Sequence, residues 1–505
     1  MENRSHTTDS YATAQTGLSG LRNAKLSTPQ SYWKDALGES AEGSQVHGLH
    51  EGKSSQVTQV MLHIDSGQQN QELIGFGASF TDSAAYLINT VLPAEQREKV
   101  MTALFDPKKG IGLSALRNPM GASDYARFIY SYDDVEPGST DPNLSQFTLE
   151  HDEQDIIPLT KKARELNSQL FLMASPWSAP AWMKTSGSMK AGKLKPEYRD
   201  VYARYFVRFL EEMKAHGLEV HAITAQNEPL YEPHHYPSMN FPADEEADFI
   251  HRYLAPAMRE ASLDTKILAY DHNWDHAEYP LEVLKTAHED VAGVAWHWYG
   301  GEANQQKKVI ELYPHTDAYC TEASGGSWIP EPSMPNLASQ IIKALTYGSR
   351  TFILWNMALD ENNGPTVPGF GESTCRGLFL VNTATRTATP TIDFYGLAHF
   401  SSVLRPSARI LVPRVEEQNC DNSDRLTESA GASKTSQALH EESPVHAIAA
   451  RNLDGSLGVV VLNGAEHDVV MSVDATDSSS PVEQHLLVPA QSVLSFQLTT
   501  VVDEK

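Results

Sequence analysis

The chain has 505 residues, with 39 Lys and Arg against 65 Asp and Glu, for a formal net charge of -26. That length exceeds one small domain and leaves room for a large core with a companion module. Nucleic acid and anionic membranes would be repelled by such a surface, whereas a neutral ligand such as a sugar would not. Cys320, Cys375 and Cys420 lie far apart and point to neither a disulfide framework nor a zinc motif.

The N-terminal MENRSHTTDSYATAQ lacks the apolar core of a signal peptide, and no apolar run approaches 18 residues. The expectation is a cytoplasmic protein as given, or a secreted one if a leader has been removed. Residues 1–20 are polar and expected to form a mobile tail. Residues 56–64 alternate like a half-buried strand, and 21–65 are assigned to the N-terminal part of a β side domain.

From about residue 72, short apolar runs alternate with amphipathic segments, the pattern of repeated βα units. Eight runs are found, at 73–77, 113–117, 169–175, 220–226, 266–270, 293–297, 317–321 and 351–356. Helices are predicted at 94–105, 153–166, 196–216, 244–261, 280–288 and 335–347. Eight strands close a barrel, so 66–404 is read as a (β/α)8 domain. An open doubly wound sheet is disfavoured, because no Gly-rich nucleotide loop follows the first strand in the required form. Beyond Arg405-Pro406 the helical pattern stops. Runs at 447–450, 458–462 and 493–498 predict a β-sandwich over 405–505, with 416–443 as a long polar loop. The strand at 56–64 has no partner in the barrel and is predicted to pair there.

Barrel chemistry sits at the C-terminal strand ends. Strand four ends in Gln226-Asn227-Glu228-Pro229 and strand seven in Glu322, placing two carboxylates across the barrel mouth. At roughly 5 Å separation, one could attack an anomeric carbon while the other protonates the leaving oxygen. Other strand ends carry Arg117, with Asp124 in the following loop, and Trp177, His297, Tyr299 and Trp355. Indole rings at the rim would stack on the C–H faces of a sugar. Glu232, His234 and His235 are better explained as loop polarity than as a metal site. No metal or cofactor is expected.

IGFGASFTDSAA (74–85), LRNPMGASD (116–124), ASPWSAPAWMKT (174–185), AITAQNEP (222–229), AWHWYGG (295–301), TEASGG (321–326) and LWNMALDENNGP (354–365) run the length of the barrel. In these stretches the chain resembles glycoside hydrolase family 30, the glucosylceramidase-like retaining β-glycosidases, whose β side domain is built from both chain ends. The resemblance implies Glu228 as acid/base and Glu322 as nucleophile. It implies Asn227 on the sugar 2-hydroxyl, Arg117 holding Glu322 ionised, and Asp124, Trp177 and Trp355 gripping the terminal sugar. Tyr299 would orient the nucleophile, with His297 and Tyr236 in support. The expected substrate is a β-glucoside, of the glucosylceramidase or β-glucosidase type. An endo-β-1,6-glucanase or β-xylosidase on the same machinery is the alternative. The loops 231–241, 270–280 and 362–370 look closer to bacterial and β-1,6-glucanase-like members. A non-catalytic carbohydrate-binding barrel and a transglycosylase are the rivals.

Overall fold

The computed structural model describes residues 24–27, 58–329, 333–418, 443–475 and 485–500. The tail predicted at 1–20 lies outside them, as does most of the loop predicted at 416–443. Among the described residues, two strands precede the barrel, β1 (Ala24–Ser27) and β2 (Thr58–Ile64). Eight more close a parallel barrel: β3 (Gly75–Ala78), β4 (Ala115–Pro119), β5 (Phe171–Ser175), β6 (Ala222–Thr224), β7 (Lys266–Asn273), β8 (Gly293–His297), β9 (Asp317–Glu322) and β10 (Ser349–Leu354), with β10 pairing back to β3.

The barrel interior is filled by size complementarity. Met173, Leu268 and Tyr319 on β5, β7 and β9 pack among Ala115, Ala222 and Ala295 on β4, β6 and β8. A Cβ at Gly77 would come within 1.8 Å of the Ala115 carbonyl oxygen, so only glycine fits where β3 meets β4. This plug makes the barrel solid and leaves chemistry to its ends.

Three short strands follow, β11 (Ala358–Asp360), β12 (Phe379–Asn382) and β13 (Thr387–Pro390), forming a small sheet that the sequence reading did not contain. The side domain is a sandwich. One sheet runs β1, β20 (Ser492–Thr500), β17 (Leu457–Asn463), β16 (Val445–Arg451) and β14 (Arg409–Leu411). The other runs β15 (Arg414–Gln418), β2, β18 (Val469–Ala475) and β19 (His485–Val488). As predicted, β2 pairs with C-terminal strands, antiparallel to β15 and parallel to β18. Residues 416–418 are strand rather than loop.

Every residue of β17 is buried, which a two-sheet sandwich alone would not require. Val459 and Val461 face the sandwich core, while Val460 and Leu462 join the barrel's core beside the helix Ser333–Thr346. This shared strand ties the two domains together.

The helices Gln305–Leu312 and Ile392–Ser401 were not predicted. The second is apolar on most faces because it is wedged between barrel and sandwich, so it shows little helical periodicity. The helix predicted at 244–261 is divided into Ala243–Phe249, a π-turn at Ile250–Leu254 and Ala255–Glu260. Pro256 lacks an N–H and cannot continue the i→i−4 ladder, so the wider turn precedes it. No helix of the described residues is long and apolar enough to cross a membrane.

Candidate active site

Strand β6 is three residues long, and the chain leaves it through Asn227 and Glu228 at the barrel mouth. The Asn227 N–H donates to the Pro176 carbonyl at 2.8 Å, and the Glu228 N–H to the Asp271 carbonyl at 3.0 Å. These bonds hold Glu228 at φ +45°, although a residue before proline favours extended backbone. Such a conformation costs on the order of 1–3 kcal/mol and persists where the surroundings over-determine it. Across the mouth, Glu322 ends β9. One carboxylate oxygen of Glu228, one of Glu322 and a ring nitrogen of His297 all lie within 4.8 Å of one another.

Glu322 is held by two donors: Arg117 Nη1 bonds Oε2 at 2.7 Å, and the Tyr299 hydroxyl bonds Oε1 at 2.9 Å. Arg117 Nη2 donates to Asn227 Oδ1 and Asp271 Oδ2, both at 2.7 Å. The guanidinium is fully buried, with its carbon 4.8 Å from the Trp177 ring centroid and 5.6 Å from that of Trp355. With Asn227 Oδ1 engaged by Arg117, the amide nitrogen is the group left to meet a ligand. Arg117 thus fixes Glu322, Asn227 and Asp271 with one rigid fork.

The two indoles stack on each other at 4.8 Å and are 3% exposed. They form a floor rather than the expected rim. Tyr125, whose ring is 6.4 Å from Trp355 and 5.9 Å from Phe370, starts an aromatic wall that continues through Tyr236, 5.7 Å from Phe370, to Tyr231. Tyr231 and Tyr299 are both exposed. Lys184, fully buried, donates to Ser178 Oγ at 2.8 Å, the Met189 carbonyl at 2.9 Å and the Ser238 carbonyl at 2.5 Å. It fastens the loop after β5 to the loop after β6 that carries this wall.

Strand β7 supplies residues that the sequence reading missed. Its predicted run stopped at Tyr270, but the strand continues to Asn273 with a register shift between Tyr270 and His272. Tyr270 and Asp271 both have positive φ, +79° and +65°. This bulge sends Asp271 inward, where Oδ2 accepts from Arg117 and Thr224 and Oδ1 from Thr321 and His297. Buried Glu246 braces it by accepting the Tyr270 N–H at 3.0 Å and the Tyr279 hydroxyl at 2.6 Å. The polar run YDHNWD at a strand end was the available signal.

His297 Nε2 is 3.0 Å from Asp271 Oδ1, and Nδ1 is 3.1 Å from Glu228 Oε1. Burial disfavours a charged ring, but Glu322 and the bonds to Asp271 and Glu228 outweigh it, raising His297 to about 9. Burial likewise raises Glu228, yet the His297 bond and the charges of His272, His297 and Arg117 bring it below the ordinary value. Glu322 is raised. Burial and the Glu228 charge exceed the pull of His297 and Arg117, so the guanidinium acts in the expected direction without prevailing. Burial and the Glu322 charge lift Asp124 to about 8, and its Oδ1 is buried without a partner. Asp124 therefore favours the protonated form more than an ordinary carboxyl, and in that form it can donate a hydrogen bond as well as accept one.

Among the described residues, Glu228, His297 and Glu322 are the group close enough to grip a cation. Arg117 already sets a positive charge 2.7 Å from Glu322, and His297 bridges two carboxyl groups, so the set reads as acid–base machinery. Glu232 instead accepts the Gly192 N–H at 2.5 Å, and the His235 ring lies edge-on to Tyr236 at 4.8 Å.

These shifts set a pH dependence of stability. His297 is raised above its ordinary 6.5, so its contribution is complete below 6.5 and lost as pH rises through 9. Asp124, raised above 3.8, favours the folded state at low pH, and that contribution is lost up to about 8. The melting temperature should therefore fall between pH 7 and 9.5 in calorimetry, and Asp124→Asn should flatten the part below pH 8.

The chain matches the glycosyl hydrolase family 30 TIM-barrel domain over residues 73–404 and the family 30 beta sandwich domain over 432–496. It is 31% identical to endo-1,6-beta-D-glucanase BGN16.3 of Trichoderma harzianum over 87% of each chain. It is 29% identical to the lysosomal acid glucosylceramidase of Mus musculus, covering 83% of this chain and 80% of that one. Among solved structures, the endo-beta1,6-glucanase BT3312 superposes with a TM-score of 0.74 at 26% identity, covering 88% of this chain and 94% of its own.

Proposed function

Because the chain belongs to glycoside hydrolase family 30 and is a retaining glycoside hydrolase, we propose that its substrate is a β-1,6-linked glucan, cleaved within the chain. The observation that carries the chemistry is the pair of carboxyl groups approaching within 4.8 Å. That suits direct attack by one and proton transfer by the other, and is narrower than the roughly 6.5–9.5 Å that an inverting enzyme needs for a water.

In the first step Glu322, aimed by Arg117 and Tyr299, attacks the anomeric carbon as Glu228 gives its proton to the leaving oxygen. A glucosyl ester on Glu322 and a free sugar hydroxyl result. In the second step Glu228, now a carboxylate, takes a proton from water as that water attacks the same carbon and frees Glu322. Asn227 meets the 2-hydroxyl, and Asp124, above the Trp177 and Trp355 floor, donates to a hydroxyl farther round the ring. No metal or cofactor enters these steps.

Supporting β-1,6-glucan, relatives named as endo-1,6-beta-D-glucanases from Trichoderma harzianum and Neurospora crassa are each 31% identical over most of the chain. The aromatic wall from Tyr125 to exposed Tyr231 offers ring faces to further glucose units on the leaving side. A glucosylceramidase-type β-glucosidase, the first expectation from the sequence, rests on relatives such as the mouse enzyme and remains the second reading. The test compares β-1,6-glucan, gentiobiose and glucosylceramide. Early release of mixed gentio-oligosaccharides with a rapid fall in chain length is expected. Glucose as the sole early product, with faster cleavage of glucosylceramide, would reverse the order of the two readings.

A further inference from the structure

The hydrogen bonds around Asp271 leave His297 little choice of tautomer. Asp271 is fully buried and receives four donors, two on each oxygen. Arg117 and His297 hold its carboxyl well below the usual carboxylate range in spite of burial. A carboxylate so held can only accept, so the proton on His297 Nε2 must point to it. Whatever its charge, His297 then faces Glu228 with Nδ1 alone.

We propose that His297 and Glu228 share a single proton across this 3.1 Å hydrogen bond, and that Asp271 and His297 are positioning residues making the pair the general acid. With the proton on Glu228, the carboxyl donates to the Nδ1 lone pair and is the acid that the first step needs. With the proton on Nδ1, Glu228 is a carboxylate beside a cation, the state in which it lies below its ordinary value. Delivery to the leaving oxygen removes the shared proton. The bare Nδ1 lone pair then faces the Glu228 carboxylate, which raises its basicity for the attack by water. Abstraction of a water proton restores the starting state. Each turnover thus moves one proton out and one in, with no net change on His297. This inference rests on the glycosidase reading of the same carboxyl pair.

The charged and titratable groups that face the pair come from the neighbouring strand ends and the loops after them, where Asp124, Tyr236 and Tyr270 also feel the Glu228 charge. Arg117 lies on β4, Asp271 and His272 on β7, Glu322 on β9, and Tyr299 follows β8 with its ring 6.1 Å from that of His297. His272 Nε2 is 3.8 Å from Glu228 Oε1, and burial shifts that ring toward its neutral form. It brings no second positive charge to the pair at neutral pH.

The inference separates two variants by the sign of their effect. The readout is kcat/KM against pH on gentiobiose, whose leaving group needs an acid, and on 2,4-dinitrophenyl β-glucoside, whose leaving group does not. Removing the imidazole in His297→Phe should leave Glu228 to titrate alone, moving the basic limb down by at least one pH unit on gentiobiose. Its loss on the dinitrophenyl glucoside should be at least tenfold smaller. Thr321→Val, nearly isosteric, removes the donor 2.6 Å from Asp271 Oδ1, so that oxygen binds the His297 proton more strongly. Its basic limb should move up. Wild-type turnover of the dinitrophenyl glucoside establishes the glycosidase reading independently. Thermal melting identifies a variant that has not folded, in which case Thr321→Val decides alone. Unmoved limbs with equal losses on both substrates, or a downward shift in Thr321→Val, would overturn the shared-proton account.

Discussion

Glu322→Gly should lower kcat on an aryl β-glucoside by roughly 10⁵-fold, because no other carboxylate can form the ester intermediate. The cavity left beside Arg117 and Tyr299 is lined with donors, so azide should enter it and restore turnover. Its product should be a glucosyl azide of α configuration, since one displacement replaces two. Product analysis by NMR reads this directly. Residual wild-type activity without azide would remove Glu322 from the nucleophile's role, and the β-azide would place the nucleophile elsewhere.

Glu228→Ala should separate substrates by leaving group. On gentiobiose, whose leaving sugar is a poor group, loss of the acid should cost about 10³-fold or more in kcat/KM. On 2,4-dinitrophenyl β-glucoside the first step should survive, and the ester should accumulate because the base for water is gone. A burst of dinitrophenol followed by slow turnover is expected, with azide accelerating the slow phase to give the β-azide. Comparable losses on both substrates, without a burst, would argue that Glu228 only shapes the site.

The two carboxylates were legible because a barrel strand ends abruptly in sequence: an apolar run gives way to Asn227-Glu228-Pro229 or to Glu322, and the count of runs places these opposite each other. The third carboxylate of the centre was not. Asp271 reaches Arg117 and His297 through a bulge at two non-glycine residues of positive φ, stabilised by Glu246 from a distant helix. The polar run from Tyr270 marks a strand end, but the bulge that turns Asp271 inward depends on tertiary hydrogen bonds. The same applies to Thr224 and Thr321, whose hydroxyls reach Asp271 from β6 and β9. Trp177 and Trp355 lie beside Arg117, but not at the rim. Residue type suggested rim platforms, whereas packing on each other and over Arg117 makes them the floor. The helix Ile392–Ser401 escaped notice for a related reason: with both domains covering it, its sequence has no polar face to mark the period.

The central claim is double displacement by Glu322 and Glu228, and the configuration of the newly formed reducing end tests it most directly. Proton NMR should follow the anomeric signals in the first minutes of β-1,6-glucan hydrolysis, or of aryl β-glucoside hydrolysis if the glucan is not cleaved. The β-anomer should appear first, and the α-anomer should grow only at the rate of mutarotation. Initial release of the α-anomer would mean a single inverting displacement, and would contradict the account built on the opposed carboxyl groups.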